Sequence, residues 1–328
     1  MKIEHLSGLI AAPFTAFHAN GELNCEMIAR QADSLVADGV KGAYICGTTG
    51  EGISCSVAER IAIMEAWTAA SRGRLKLIAH TGALALGDVE VLGREAQRLG
   101  FYATSVVPPC YFKPGSVEAL VEFCAAAAAA APELPFYYYH TMNSGVNLSM
   151  VEFLEKADGR IPNLAGIKFN HHNLYEYQNC RWACDGKYDV IYGVDEFFAG
   201  ALAVGAECFI GSTYNYSAEL YTAVWRAFEA GDRAAVLAGM HKICQGVDLL
   251  NRHGGLAAGK AMMLVKGIEC GNPRLPFLPL PETERREIGA AGDSRTLKQF
   301  GAVEKKSPLS FSGERALFFL SCRCCADR

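Results

Sequence analysis

The chain has 328 residues, of which 51% are hydrophobic and 20% charged, and its 31 basic against 35 acidic side chains give a formal net charge of −4. This composition is too apolar for an intrinsically disordered protein. It also lacks the surplus of basic residues with which proteins bind nucleic acids or anionic membranes. Charged residues interrupt every long apolar stretch, so no membrane-spanning helix is expected. The 13 cysteines show no disulfide-framework spacing, which favours reduced thiols and a cytoplasmic protein.

The pattern along the chain predicts alternating strands and helices. From Gly8 onward, short apolar runs rich in Val, Ile, Tyr and Phe alternate with helical patterns. Such alternation is typical of repeated βα units around a parallel sheet. The eight predicted strands are 8–14, 42–46, 77–80, 104–107, 136–139, 165–169, 190–193 and 208–211.

Helical patterns fill the gaps between these strands. A Ser followed three residues later by a Glu predicts a capping box at two helix starts, Ser56 with Glu59 and Ser149 with Glu152. After the eighth strand, three further helical stretches are predicted at 218–230, 233–250 and 256–266.

Eight βα units followed by helices predict an α/β fold, a (β/α)8 TIM barrel with a C-terminal helical appendage. We assign 1–215 to the barrel through its eighth strand, 216–288 to helices that complete the same domain, and 289–328 to a tail. The tail lacks sustained periodicity, so it is expected to be disordered or to be a sequence altered by a frameshift. The alternative architecture is a doubly wound open sheet, because both folds use buried parallel strands.

In a (β/α)8 barrel the active site lies at the carboxyl ends of the strands, so polar residues at those ends are candidates. The first candidate follows the second strand and reads Gly47-Thr48-Thr49-Gly50-Glu51-Gly52. Its glycines let backbone N–H groups point at an anion, and its hydroxyls add donors. The spacing differs from that of a P-loop, so a carboxylate fits better than a nucleotide phosphate. The alternative is an ordinary βα turn.

The second candidate is Lys168, near the end of the otherwise apolar strand 164–169. Burial of an ammonium group is costly, and the usual relief is a neutral amine that can attack a carbonyl. Lys168 is therefore a candidate for Schiff-base formation. The alternative is a structural lysine that pairs with Asp195 or Glu196.

The third candidate is Tyr139, at the end of the fifth strand. Alternation places Tyr137 and Tyr139 on one face and Tyr138 on the other, so one phenol near the strand end can project into the barrel mouth. A phenol beside an iminium can pass protons to and from the reacting oxygen. The alternative is that these tyrosines only pack. His171 and His172 are adjacent rather than at helical ligand spacing, so no metal site is expected.

The fourth candidate comprises the residues after the seventh and eighth strands. These are 193–196, Gly-Val-Asp-Glu, and 211–215, Gly-Ser-Thr-Tyr-Asn. Adjacent carboxylates at a barrel mouth can accept hydrogen bonds from a polyol. Asp195 could equally cap the helix that begins near Phe197.

Together these motifs resemble the pyruvate-dependent class I aldolases of the dihydrodipicolinate synthase and N-acetylneuraminate lyase family, over roughly residues 5–285. The turn Gly47-Thr48-Thr49-Gly50-Glu51 is similar to the family's Gly-[Ser/Thr]-Thr-Gly-Glu turn. Tyr139 is similar to its catalytic tyrosine, and Gly166-Ile167-Lys168 to the strand that bears its Schiff-base lysine. The segments most similar to the lyase branch are 134–140, 193–196 and 211–216.

The resemblance implies an aldolase without metal or organic cofactor that cleaves N-acetylneuraminate reversibly to N-acetylmannosamine and pyruvate. Lys168 would form the covalent Schiff base, and Thr48 and Thr49 would hold the substrate carboxylate. The Thr48 hydroxyl would relay protons to Tyr139, and Tyr111 would reach this relay from a neighbouring subunit of a homotetramer. The residues implied to bind the sugar tail are Asn170, Gly193, Asp195, Glu196 and Ser212.

Three departures concern the substrate. The synthase branch holds a second carboxylate with an arginine shortly after the catalytic tyrosine, and 141–145 contains none. The segment after Tyr139 is one residue shorter than the lyase pattern and lacks its usual proline, and Asn170 stands where the lyases carry Thr or Ser. Two alternatives therefore stay open. One is another class I aldolase, for a 2-keto-3-deoxy sugar acid or the synthase substrate, and the other is a catalytically idle barrel that binds a sugar acid.

Overall fold

Eight parallel strands close into a barrel in the computed structural model, which describes residues 3–291. The strands are β1 (Gly8–Ala11), β2 (Gly42–Ile45), β3 (Lys76–His80), β4 (Ala103–Val106), β5 (Phe136–Thr141), β6 (Leu164–Asn170), β7 (Asp189–Tyr192) and β8 (Cys208–Gly211). Each strand pairs with the next along the chain, and β8 closes the ring by pairing with β1. The predicted TIM barrel is confirmed, and the closed ring excludes the open doubly wound sheet.

The strands differ from the predicted ones mainly at their ends. β1 stops at Ala11, because Pro13 follows shortly and has no N–H with which to continue the ladder. β5 and β6 extend to Thr141 and Asn170, which pair with each other. The polar ends of these two strands therefore belong to the sheet, which holds them at the barrel mouth.

Helices follow the strands and continue after β8. They are α1 (Glu26–Ala37), α2 (Val57–Ser71), α3 (Leu86–Arg98), α4 (Val117–Ala129), α5 (Met150–Ala157), α6 (Leu174–Trp182), α7 (Phe198–Ala203), α8 (Tyr214–Glu229), α9 (Arg233–Arg252), α10 (Leu256–Met262) and α11 (Glu282–Ala291). The predicted capping box at Ser56 is complete, whereas at Ser149 the side chain accepts the Glu152 N–H and the return bond is missing. None of the helices between residues 3 and 291 is long and apolar enough to cross a membrane.

A β-bulge in β6 determines which of its side chains face the barrel interior. Phe136 pairs with Leu164, but the next residue of β5, Tyr137, pairs with Gly166. Ala165 is therefore an extra residue in β6, and it shifts the alternation of the following side chains by one position.

This shift turns Lys168 toward the barrel axis. Ile167 and Phe169 pack in the layer between the sheet and the helices. Lys168 lies between them in sequence and points the other way, so that its nitrogen lies over the rings of Tyr44 and Tyr139. A strict alternation from Ala165, which packs inside the barrel, would have turned this lysine outward.

The C-terminal helices attach to the barrel through an apolar cluster and a buried ion pair. The cluster consists of Phe14, Ala16, Tyr216, Ala258, Ala261, Met262, Met263, Ile268, Cys270 and Ile288. The ion pair joins Lys260 of α10 to Glu51, with 2.6 Å between Nζ and Oε1 and both side chains 1% exposed. The Arg274 N–H donates to the other Glu51 oxygen at 2.7 Å. The appendage therefore holds the end of the glycine-rich turn in place.

The C-terminal part of the chain differs from the sequence prediction in two details. The predicted helix 256–266 is α10 followed by a 3-10 turn at Met263–Lys266. α11 was not predicted, because its sequence is mostly polar, and it continues past residue 288. The division of the chain at residues 215 and 288 stays a prediction, and residues 292–328, most of the predicted tail, lie outside the described part.

Asp189 is a buried carboxyl group at the amino end of β7, at the opposite end of this strand from Gly193. Its Oδ2 accepts hydrogen bonds from the Leu6 N–H and the Tyr137 hydroxyl, both at 3.1 Å. Burial raises the pKa of Asp189 to about 6, although these hydrogen bonds lower it. Because the folded-state pKa exceeds that of the unfolded chain, the group stabilises the fold fully below about pH 4 and loses this contribution as the pH rises through about 6.

We expect Asp189→Asn to remove this pH dependence. Between about pH 4 and about pH 7, the free energy of unfolding of Asp189→Asn should rise by about 2 kcal/mol relative to that of the unmodified protein, because the variant has no buried carboxyl group to ionise. Denaturant unfolding of both proteins at the two pH values measures this difference. An unchanged difference between the two proteins would show that Asp189 does not titrate in this range.

Candidate active site

A cavity of about 530 Å³ opens at the carboxyl ends of the strands, a size typical of small-molecule sites. Its walls come from the turns and strand ends after β1, β2, β5, β6, β7 and β8, and from α9 and α10. The predicted site residues that line it are Thr48, Thr49, Tyr139, Lys168, Asn170, Gly193, Asp195, Glu196 and Ser212. Nine of the ten predicted site residues therefore line one cavity, and the tenth is Tyr111.

Lys168 is buried between two aromatic rings. It is 5% exposed, and its Nζ lies 4.3 Å from the centroid of the Tyr44 ring and 4.1 Å from that of Tyr139. No carboxylate among residues 3–291 forms a salt bridge with this nitrogen. The alternative of a structural ion pair with Asp195 or Glu196 is therefore wrong. A buried lysine without an anionic partner suits a nucleophile better than a structural cation.

The Tyr139 hydroxyl lies at the base of the cavity, 3.4 Å from the Thr48 Oγ1. Burial by itself would raise the pKa of Tyr139. The charge of Lys168, followed by a hydrogen bond with Thr48, outweighs burial, so the pKa lies below its ordinary value. A phenol with a lowered pKa next to the lysine can accept and return a proton.

The turn 47–52 leaves backbone donors for a ligand. Its own hydrogen bonds use the N–H groups of Glu51 and Gly52, which donate to the carbonyls of Thr48 and Gly47 at 3.1 and 3.2 Å. Within the described chain, the N–H groups of Thr48 and Thr49 take part in no such bond. They are available to an anion such as a carboxylate.

His80 fixes the start of this turn. Cys46, the residue before it, has a left-handed φ of 59°, and its carbonyl lies 3.0 Å from the His80 Nδ1. The Val107 N–H donates to the other ring nitrogen at 3.2 Å, so Nδ1 carries the proton and donates to Cys46. Burial lowers the pKa of His80 to about 3, which keeps the imidazole neutral.

Asp195 joins the ends of β7 and β8. Its Oδ2 accepts hydrogen bonds from the Thr213 N–H at 3.1 Å and the Thr213 hydroxyl at 2.7 Å. Burial raises the pKa of Asp195. The interpretation of Asp195 as a helix cap is wrong, because its carboxylate caps neither the 3-10 turn Asp195–Phe197 nor α7. Its partner is a residue of the neighbouring strand end.

Glu196 and Asn170 form a polar wall further out. Glu196 is 34% exposed, and its Oε1 lies 3.7 Å from the His172 Nε2. A Cβ atom at Gly193 would lie 2.7 Å from the Asn170 Oδ1, so glycine at this position makes room for the amide. This wall offers donors and acceptors for hydroxyl groups.

Tyr111 lies outside this cavity. It belongs to the loop between β4 and α4, is 79% exposed, and packs edge-on against Phe112, which is 84% exposed. Within one chain, this tyrosine does not meet Lys168 or Tyr139.

Sequence reasoning missed several residues of the site. The cavity-lining residues that it did not predict as site residues are Ala12, Phe14, Met142, Asn143, His172, Ile210, Val247, Leu250, Asn251, Gly255, Leu256, Gly259 and Phe277. The residues of α9 and α10 follow no strand, so a search for polar residues at the carboxyl ends of strands does not find them. Tyr44 was missed although it lies in a strand three residues before the turn, where alternation directs it inward. No group of three or more potential metal-binding side chains occurs among residues 3–291.

Comparisons with known proteins agree with this geometry. Residues 5–293 match the dihydrodipicolinate synthetase family. The chain is 38% identical over 311 residues to the N-acetylneuraminate lyase of Mus musculus, covering 93% of this chain and 97% of the relative.

Among solved structures, the sialic acid aldolase of Aliivibrio salmonicida is 52% identical, with a TM-score of 0.87 over 88% of this chain and 96% of that one. The Proteus mirabilis N-acetylneuraminate lyase is 48% identical, with a TM-score of 0.87 over 88% and 99% of the two chains.

Proposed function

The chain belongs to the dihydrodipicolinate synthetase family, and from this premise we propose that it reversibly cleaves N-acetylneuraminate to N-acetylmannosamine and pyruvate. The observation that carries the proposal is that a buried lysine, a tyrosine, a turn with free backbone N–H groups and a polar wall line one cavity. The similarity to two sialic acid aldolases at 48% and 52% identity supports this substrate. The lack of an arginine in 141–145 argues against a substrate with a second carboxylate there.

The proposed reaction begins with Lys168. Its neutral amine attacks the C2 ketone of the open-chain sugar, water leaves, and an iminium forms. The C3–C4 bond then breaks, its electron pair moves toward the iminium nitrogen to give an enamine, and the C4 hydroxyl loses its proton. The enamine takes a proton at C3, and water hydrolyses the resulting iminium to release pyruvate and the free lysine.

Tyr139 is the proposed proton carrier. It accepts the proton of the C4 hydroxyl as the aldehyde forms, and its lowered pKa favours this step. The Thr48 hydroxyl, 3.4 Å away, relays protons to it. The backbone N–H groups of Thr48 and Thr49 hold the substrate carboxylate, which places C2 next to Lys168.

The polyhydroxylated tail is proposed to lie against Asn170, Gly193, Asp195, Glu196 and Ser212. We expect Glu196→Gln to raise the KM for N-acetylneuraminate about 10-fold with kcat changed less than about 3-fold, because a charged acceptor is lost from binding and not from chemistry. Steady-state kinetics measure both constants. A KM equal to that of the unmodified enzyme would remove Glu196 from the sugar site.

We further propose that the enzyme is a homotetramer in which Tyr111 of one subunit reaches the proton relay, Thr48 and Tyr139, of a neighbouring subunit. The exposed Tyr111 and Phe112 pair supports this, because large apolar side chains so exposed often lie at interfaces. A cytoplasmic location is supported by the ten cysteines without a disulfide among residues 3–291.

A comparison of substrates tests the proposed function. The protein is incubated with N-acetylneuraminate, a 2-keto-3-deoxy sugar acid, and pyruvate with the aldehyde of the synthase reaction, and products are measured. We expect pyruvate and N-acetylmannosamine from the first at a rate at least about 100-fold above the others, the scale of discrimination that lost polar contacts produce. Turnover of another substrate in preference would assign a different aldolase, and binding of the sugar without product would indicate an idle barrel.

A further inference from the structure

The environment of Lys168 assigns a role to a residue that the mechanism above does not use. We propose that the ring of Tyr44, alongside that of Tyr139, stabilises the Lys168 cation as a neutral π face that takes the place of a carboxylate. This inference rests on the proposed function, because it concerns the same lysine. It adds a residue that touches the reacting nitrogen and sets the pH range in which the nitrogen reacts.

The position of the Tyr44 ring is fixed from several sides. The residue is 1% exposed, and its hydroxyl donates to the Ser105 Oγ at 2.9 Å. A Cβ atom at Gly47 would lie 2.7 Å from the ring, so the glycine-rich turn passes directly against it. The Tyr139 ring packs edge-on at 5.8 Å. Tyr44 therefore presents a preformed face to Lys168, 4.3 Å from Nζ to the ring centroid.

A π face suits this site better than an anion would. The lysine nitrogen is positive as an ammonium and again as an iminium, and burial without compensation would disfavour both. A carboxylate would stabilise the charge but repel the substrate carboxylate, whose proposed site at Thr48 and Thr49 is in the same cavity. An aromatic face attracts a desolvated cation without adding a negative charge. Tyr44 thus stabilises the positive charge on the Lys168 nitrogen without repelling a substrate carboxylate at Thr48 and Thr49.

Other titratable groups of the site are neutral or occupied by their own partners. Burial raises the pKa of Tyr44 far above its ordinary value, so its phenol is uncharged. The titratable and charged groups that interact with Tyr44 or Lys168 are His80 on β3, Tyr139 on β5 and Arg60 on α2. Asp195 and Glu196, after β7, line the same cavity. His80 is neutral, and Arg60 donates a hydrogen bond to the Gly82 carbonyl at 2.9 Å. The Asp195 carboxylate accepts a hydrogen bond from Thr213. Glu196 lies beside His172.

The test measures the pH profile of pyruvate attachment to Lys168. The full-length protein is incubated with pyruvate and cyanoborohydride, and the rate of adduct formation is followed by intact mass across pH. In Tyr44→Phe, which keeps the ring, the profile should stay within about 0.3 pH units of the unmodified protein. In Tyr44→Leu the profile should move to lower pH by about one unit, because the ring no longer favours the charged forms.

If Tyr44→Leu does not fold, a series of fluorinated side chains at position 44 tests the same role of the ring. Phenylalanine and its mono-, di- and trifluoro derivatives at position 44 weaken the π face stepwise at nearly constant volume. The profile should move to lower pH with each fluorine, by about half to one unit in total. Repeating the series in Tyr139→Phe removes the titration of that phenol from the profile.

The outcomes separate the two proposals. No pyruvate adduct on Lys168 in the unmodified protein would overturn the proposed function and this inference with it. An adduct whose pH profile is the same in Tyr44→Leu, or across the fluorinated series, would overturn the role of Tyr44 and leave the Schiff base intact. A packing role alone would change the melting temperature without the stepwise shift.

Discussion

Lys168→Ala is expected to lose turnover of N-acetylneuraminate by at least about 10⁴-fold, the scale seen when a covalent nucleophile is removed. The substituted side chain cannot form the iminium, so the C3–C4 bond has no electron sink. The fold should survive, because Lys168 borders the cavity and forms no salt bridge within residues 3–291. The melting temperature should therefore change little.

Two variants serve as controls for this loss. Lys168→Arg keeps a positive charge near the two rings but cannot form an imine under these conditions, so it should be as inactive as the alanine variant. Lys156→Ala removes a lysine of α5 that pairs with Glu152 on the surface, and it should keep full activity. A folded Lys168→Ala protein with more than about one tenth of the normal turnover would contradict covalent catalysis by this residue.

Tyr139→Phe is expected to lower kcat by about 10²- to 10⁴-fold, the usual contribution of a positioned acid or base. The ring remains against Lys168, so binding of pyruvate should change little. Because the pKa of Tyr139 is lowered by Lys168 and Thr48, the rate of the unmodified enzyme should depend on a base that titrates below the ordinary range of tyrosine. The dependence of the rate on this base should be missing from the pH profile of Tyr139→Phe.

Tyr137→Phe is the matched control for the lost hydroxyl. Tyr137 is an interior tyrosine of the same strand, but its hydroxyl donates to Asp189, away from the lysine. Its loss should affect stability and leave kcat within about threefold. Equal kcat values for Tyr139→Phe and the unmodified enzyme would show that the proton relay is assigned to the wrong residue.

The fold was predictable because each strand of the barrel is a short apolar run between helical patterns. β2 and β8 match their predicted ranges within one residue. The search for polar residues at the carboxyl ends of strands also found the polar residues of the cavity, since the carboxyl ends of parallel strands share one edge. Alternation correctly separated Tyr139, which faces the interior, from Tyr138, which packs against Phe153.

What could not be predicted depends on contacts between distant segments. The bulge at Ala165 arises from pairing with β5, and no local pattern in β6 reveals it. Asp195 resembled a helix cap in sequence, but its partner Thr213 is 18 residues away. The pairing of Lys260 with Glu51 likewise joins the appendage to the turn. Such contacts follow from the three-dimensional arrangement and leave no signal in one sequence.

Borohydride reduction of the protein during incubation with N-acetylneuraminate, followed by peptide mass mapping, tests directly whether Lys168 forms the Schiff base. We expect an adduct of the mass of reduced pyruvate on the peptide that contains Lys168, because cleavage leaves pyruvate on the lysine before hydrolysis. The absence of any adduct on that peptide, with this sugar and with pyruvate itself, would contradict the Schiff-base mechanism.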